Sequence, residues 1–236
     1  MSWVGLATFG FLLGMRHAVE ADHVAAVASL STRPTSWVQA VRVGAVWGLG
    51  HSLTLLIVGT IVLLADSVVP EPIAWGLELA VGVMLVGLGA DVLRRLLRDR
   101  VHFHVHAHDN GTTHFHAHSH AEEDGHAHPH DHGHHPGQGF PRRALVVGLM
   151  HGMAGSAALV LLAISQAPSF AMGLLYIAVF GCGSILGMAL LSVAIAVPLR
   201  YSAGWIASVS FHQGLQGIIG VATVLVGFAL IVELVG

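Results

Sequence analysis

Five polar or ionisable side chains fall within eight residues of an otherwise apolar N-terminal run, Arg16-His17-Ala18-Val19-Glu20-Ala21-Asp22-His23. Groups of this kind are expensive inside hydrocarbon and are kept where they face a cavity, a partner or an ion. Imidazole nitrogens beside a carboxylate form a donor set suited to a borderline divalent ion such as Ni²⁺, Co²⁺ or Zn²⁺. His17, Asp22 and His23 are therefore candidate ligands, against the plainer reading of an interhelical hydrogen-bond network. Successive helical residues turn by about 100°, which puts His17 and His23 about 120° apart and His17 and Asp22 about 140° apart. One straight helix cannot aim all three at one ion, so the helix opens locally or other helices complete the set. Arg16 and Glu20, four residues apart, are spaced to pair with each other.

His51, in Gly50-His51-Ser52, is a second buried imidazole in an apolar run and joins His17, Asp22 and His23 as a first-choice metal ligand. His151 and Glu20 are secondary candidates. Between the apolar runs lies a tract at 101–135 that holds fourteen of the nineteen histidines, mostly in alternation: His102, His104, His106, His108, His114, His116, His118, His120, His126, His128, His130, His132, His134 and His135. Such alternation makes adaptable chelating sites for divalent ions, whose affinity falls steeply below about pH 6.5 as imidazoles protonate. The rest of the tract is mostly Asp, Glu, Gly and Ala, with little to build a core, and is expected to be disordered without a ligand.

The elements that carry these residues belong to a bilayer. The chain is 54% hydrophobic and 10% charged, where a soluble domain has about 25% charged residues. Six apolar segments, at 3–30, 38–64, 72–95, 143–165, 169–198 and 204–234, are long enough to span, at about 20 residues each. Continuous apolar runs of this length are helices, since barrel strands would alternate. The expected architecture is an all-α integral membrane protein with three parts: a three-helix unit at 1–97, a His-rich cytoplasmic loop at 98–141, and a second three-helix unit at 142–236. The break between the last two spans is expected at Pro198-Leu199-Arg200-Tyr201-Ser202. The first run reads as a span rather than a cleaved leader, because no basic residue precedes Arg16.

All ten basic residues are Arg. Nine of them (Arg33, Arg42, Arg94, Arg95, Arg98, Arg100, Arg142, Arg143 and Arg200) fall in the three connections that six spans place on one side. The excess of positive charge assigns that side to the cytoplasm and both termini to the outside of the plasma (inner) membrane. A net charge of −3 with neutral histidines offers nothing to nucleic acid. The lone cysteine, Cys182, excludes an intrachain disulfide and a multi-cysteine zinc cluster.

The two units resemble each other. Gly14-Met15-Arg16-His17 aligns with Gly148-Leu149-Met150-His151 at an offset of 134, and Trp47-Gly48-Leu49-Gly50 with Phe180-Gly181-Cys182-Gly183 at 133. Gly82 and Gly89 align with Gly220 and Gly227 at 138. Three spans per unit is an odd number, so the second unit enters the membrane upside down, as in transporters built from inverted repeats. Gly44/Gly48, Gly148/Gly152 and Gly183/Gly187 have the spacing that lets helix backbones approach.

There is no Gly-Lys-Ser/Thr phosphate loop and no His-Glu-x-x-His helix, so no enzyme activity is expected. The run from Arg16 to His23 resembles the His-x4-Asp-His motif of the nickel/cobalt transporter (NiCoT) superfamily, and Gly50-His51-Ser52 resembles that family's motif in the following helix. The resemblance implies that His17, Asp22, His23 and His51 recognise metal. The six-span form with His151-Gly152-Met153-Ala154-Gly155-Ser156 is similar to the urease-accessory-type branch. A His-rich loop is shared with an exporting branch, and Glu20 stands where the motif usually has Asp. The resemblance implies transport of Ni²⁺ or Co²⁺ as substrate, with no cofactor, in the direction of uptake and by rocking of the two units. Alternatives are efflux by the same fold, or an accessory protein handing nickel to a metalloenzyme such as urease or hydrogenase. The expected partners are the lipid bilayer, the divalent ion and cytoplasmic metallochaperones.

Overall fold

The structure, a computed structural model, describes residues 3–32, 36–65, 70–98, 102–107, 113–118, 140–153, 169–205 and 209–236. The element order is α1 (Trp3–His17), α2 (Ala21–Leu30), α3 (Trp37–Ala65), α4 (Glu71–Arg98), β1 (His102–Ala107), β2 (Thr113–His118), α5 (Arg142–His151), α6 (Phe170–Trp205) and α7 (Val209–Val235). Among the described residues, four helical stretches are long and apolar enough to cross a membrane: Trp37–Ala65, Glu71–Arg98, Phe170–Pro198 and Gln213–Val235. The first expected span is broken into α1 and α2. Of the fourth, 143–165, α5 covers the start, and residues 154–165 lie outside the described residues.

The helices are apolar outside as well as inside. On α3 the exposed face carries Leu49, Leu53, Ile57 and Ile61, while Gly44, Trp47, Gly48, His51, Thr54 and Leu55 are buried. On α7, Ile218, Val221, Leu225, Phe228 and Val232 are exposed at helical spacing. Lipid satisfies such faces, so burial cannot drive helix association, and close backbone packing takes over. Glycines supply it. Gly14 of α1 lies on the backbone of Phe180 in α6, and Gly183 of α6 lies on that of Phe11. Gly148 of α5 meets the Trp47 carbonyl of α3, and Gly50 of α3 meets the Leu145 carbonyl of α5. In the α4–α7 pair, Gly82 faces the Gly227 carbonyl and Gly89 the Gly220 carbonyl. The three four-residue glycine pairs all sit at helix contacts, Gly44 and Gly48 against α6, Gly152 against His51 and Thr54, and Gly187 against Met15 and Ala18.

These contacts interleave the two sequence units: α3 packs on α6, α4 on α7, α1 on α6 and α5 on α3. The grouping by contact is α1, α3, α5 and α6 as one body and α4 with α7 as another, with α2 touching both. Ser29 at the end of α2 bonds Thr223 of α7 at 2.9 Å, and Ser31 just past it bonds Ser192 of α6 at 3.1 Å. At the other end of α4, Asp91 pairs with Arg95 at 3.1 Å and with Arg143 of α5.

Two expectations are corrected. α6 runs through Pro198 to Trp205 instead of stopping there. One proline removes one N–H, and membrane helices tolerate this because neighbours re-satisfy the freed carbonyl. The His-rich tract is not structureless throughout, although the rest of the molecule is helical. β1 and β2 pair antiparallel with His102 opposite His118, His104 opposite His116 and His106 opposite His114. The alternation that suits chelation is also strand periodicity, with Phe103, Val105 and Phe115 between the histidines. His108, His120, His126, His128, His130, His132, His134 and His135 lie outside the described residues.

Candidate metal centre

The interrupted helix comes first, because it sets every later distance. After His17 the chain tightens: the amides of Val19 and Glu20 bond the carbonyls of Arg16 and His17, each at 3.1 Å, and Glu20 is extended (φ −65°, ψ 151°). α2 then restarts at Ala21 with Asp22 in its first turn, where the unpaired amides of a helix N-terminus favour a carboxylate. The break swings Asp22 and His23 off the line of α1, which is one of the two outcomes that the angular spacing allows. It also separates Arg16 from Glu20. The expected ion pair between them does not form, because the two no longer share a helix; Glu20 turns to His17 instead, with Oε2 3.0 Å from Nδ1.

Four histidines from three chain segments converge. His23, His51 and His151 are fully buried and His17 nearly so. The Nε2 atoms of His17 and His51 are 3.2 Å apart, and the ring of His23 lies 4.3 Å from that of His17 and 5.2 Å from that of His51 between centroids. Ligand atoms of His17, His23 and His51 all lie within 4.8 Å of one another. A second group within the same limit is Asp22, His23 and His151. Asp22 Oδ1 is 2.9 Å from His23 Nδ1, and Asp22 Oδ2 is 3.0 Å from His151 Nε2.

The hydrogen bonds sort the nitrogens. His17 donates Nδ1–H to Glu20 and His23 donates Nδ1–H to Asp22, so on each ring Nε2 is left with its lone pair. His23 Nε2 and His51 Nδ1 have no hydrogen-bond partner among the described residues. A carboxylate on the far nitrogen fixes tautomer and ring orientation and raises the basicity of the free one, as it does for histidines that bind metals. Three imidazole nitrogens facing one another, two of them held this way, could accept a divalent ion at about 2.0–2.1 Å from each. His17, His23 and His51 thus come together as expected. Asp22 sits one step back, on His23 and His151 rather than on His17 and His51, and Glu20 lies behind His17.

The residues that spacing alone missed are aromatic. Trp47, fully buried, lies 5.5 Å from His23, 6.4 Å from His51 and 5.6 Å from His151 between ring centroids, and Phe180 lies 5.4 Å from His17. They wall the histidine cluster. Trp47 stands four residues before His51 on α3, on the same helix face, and that spacing was the available signal.

A family model described as high-affinity nickel-transport protein (NicO) matches residues 3–236, nearly the whole chain. The chain belongs to the NicO family. A urease accessory protein, UreH, of Bacillus sp. (strain TB-90) is 33% identical over 206 residues, covering 85% of this chain and 80% of that protein. An Arabidopsis thaliana chloroplast protein, FOR GROWTH AND FERTILITY 1, is 40% identical over 91 residues, 37% of this chain and 24% of that one. No solved structure matches. With several apolar helices and membership of NicO, this is a multi-pass membrane protein. NicO is a family of transport and accessory proteins and not of enzymes, in line with the missing catalytic motifs.

Proposed function

We propose that this NicO protein carries Ni²⁺ or Co²⁺ across the membrane, in the direction of uptake, through a site formed by Nε2 of His17, His23 and His51 with the charge of Asp22 alongside. The single observation that carries this reading is the convergence of three buried imidazoles, two of them backed by carboxylates, at a break in a membrane helix. Burial of that many polar groups in an apolar bundle is compensated when a cation shares them. Uptake rests on the likeness of the Arg16–His23 run to the importing branch.

The finer architecture belongs to the same proposal: six spans, both termini outside and the His-rich segment in the cytoplasm, where it buffers the entering ion and passes it to metallochaperones. Reciprocal glycine contacts support the inverted repeat. Gly14 on Phe180 and Gly148 on Trp47 are the same contact under the offsets of 134 and 133. Gly183 on Phe11 repeats as Gly50 on Leu145, and Gly82 on Gly227 repeats as Gly220 on Gly89.

The likeness to a urease accessory protein favours one second reading, delivery of nickel to a metalloenzyme such as urease without transport of its own. Purified protein in liposomes separates the two. Wild type is expected to move Ni²⁺ into the vesicles, and His17→Ala or His51→Ala to abolish the flux. Unchanged flux in both variants overturns the proposed site, and no flux with the wild type favours delivery.

A further inference from the structure

The three-histidine group leaves His151 unused, although His151 is fully buried, and its Nδ1 has no hydrogen-bond partner among the described residues. It arrives from α5, on the far side of the chain from α1 and α2, and its Nε2 points to Asp22 at 3.0 Å. We propose that Asp22, His23 and His151 form a second station for the divalent ion, occupied in alternation with the three-histidine station. This rests on the transport reading and adds a step to it.

Three observations carry the inference. The ligand atoms of Asp22, His23 and His151 lie within 4.8 Å of one another, and the contacts from Asp22 to the two rings are 2.9 and 3.0 Å. An ion at about 2.0–2.2 Å from each ligand fits after the atoms spread by a few tenths of an ångström. His23 belongs to both groups; its Nδ1 lies on Asp22, and its Nε2, without a hydrogen-bond partner among the described residues, is the nitrogen left for the group with His17 and His51. A neutral imidazole has one lone pair for a metal, so one ring cannot serve two ions at once. The groups therefore exclude each other, and sharing becomes a hand-off. Each hand-off exchanges one proton on His23: as Nδ1 takes the ion it releases its proton through Asp22, the partly exposed neighbour at 2.9 Å, and Nε2 takes one from water that replaces the departing ion, so no proton is gained or lost overall. Exposure supplies the third observation. Asp22 is 20% exposed, while His23, His51 and His151 are at 0%. The second station has the one partly open ligand and the one anion, where an ion sheds water at least cost. The first has imidazole ligands alone and is more deeply buried.

The test uses the full chain in liposomes. His151→Gln keeps a donor for Asp22 but ligates poorly, and Ni²⁺ flux is expected to fall by about tenfold or more. His151→Cys places a thiolate at the station. With Cd²⁺ as probe it is expected to add an ultraviolet sulfur-to-cadmium charge-transfer band above the wild-type background from Cys182, and to keep Cd²⁺ flux. Adding His17→Ala to His151→Cys should abolish the flux and leave the band. Wild-type Ni²⁺ flux in His151→Gln, or Cd²⁺ flux without a new band in His151→Cys, overturns the second station. Absence of wild-type flux sinks the transport reading instead, and the band still reports whether an ion binds there.

Discussion

Glu20 and Asp22 are two residues apart, and each sets a carboxylate oxygen against the Nδ1 of a different histidine, at 3.0 Å for His17 and 2.9 Å for His23. Glu20 is 47% exposed, so its removal should leave the fold intact and act on the metal alone. Glu20→Gln is expected to raise the Ni²⁺ concentration for half-maximal flux about tenfold with an unchanged thermal unfolding midpoint. An unaltered half-saturation value would show that His17 needs no orienting partner. At this scale the sequence was informative wherever an ionisable group sat in an apolar run. His17, His23, His51 and His151 were legible because lipid penalises each of them. The partner of Glu20 was not legible. Spacing alone pairs it with Arg16, and only the turn at Ala18–Glu20 redirects it. Trp47 was passed over as a wall residue despite its spacing to His51, because a buried tryptophan in an apolar helix costs nothing that needs explaining.

Helices here are held by what their glycines allow, and two glycines of α4 make the point two residues apart. A Cβ at Gly89 would lie 2.6 Å from the Gly220 carbonyl oxygen and 2.8 Å from Val224, whereas one at Gly87 meets nothing within 4 Å. Gly89→Ala is expected to destabilise by about 1–3 kcal/mol through overpacking, and Gly87→Ala to be neutral or to stabilise by up to about 1 kcal/mol through helix propensity. Thermal unfolding in detergent reads both, and equal effects would remove the glycine contacts as the basis of packing. The long helices were legible from hydropathy, while the angles between the ligands of the first left a break as one of two outcomes, beside ligands supplied by other helices. The end of α6 was misread at Pro198, because a proline signals a helix stop only where water can take the place of the lost bond. The paired strands in the histidine tract were missed for a different reason: composition argued for disorder, while the same residues alternate with Phe103, Val105 and Phe115.

As a whole molecule, the chain divides by contact rather than by sequence order, with α4 and α7 set against the body of α1, α3, α5 and α6. Hydropathy counts spans but says nothing of which helices touch, so the interleaving could not be read from sequence, although the repeat offsets already paired the glycines involved. The junction between the bodies is testable at Ser29 and Thr223, whose hydroxyls are 2.9 Å apart. With Cys182 replaced, Ser29→Cys with Thr223→Cys is expected to form a disulfide on oxidation, to stop Ni²⁺ flux, and to recover on reduction. Undiminished flux in the oxidised protein would mean that this junction stays fixed during transport. The placement of α2 has a mechanical corollary. Its first turn carries Asp22 and His23, and its far end, about 10–13 Å away at helical rise, grips α7 through Ser29 and α6 through Ser31. Under the proposed transport it would work as a connecting rod, passing a tilt imposed by cargo at one end to the seam between the two bodies at the other.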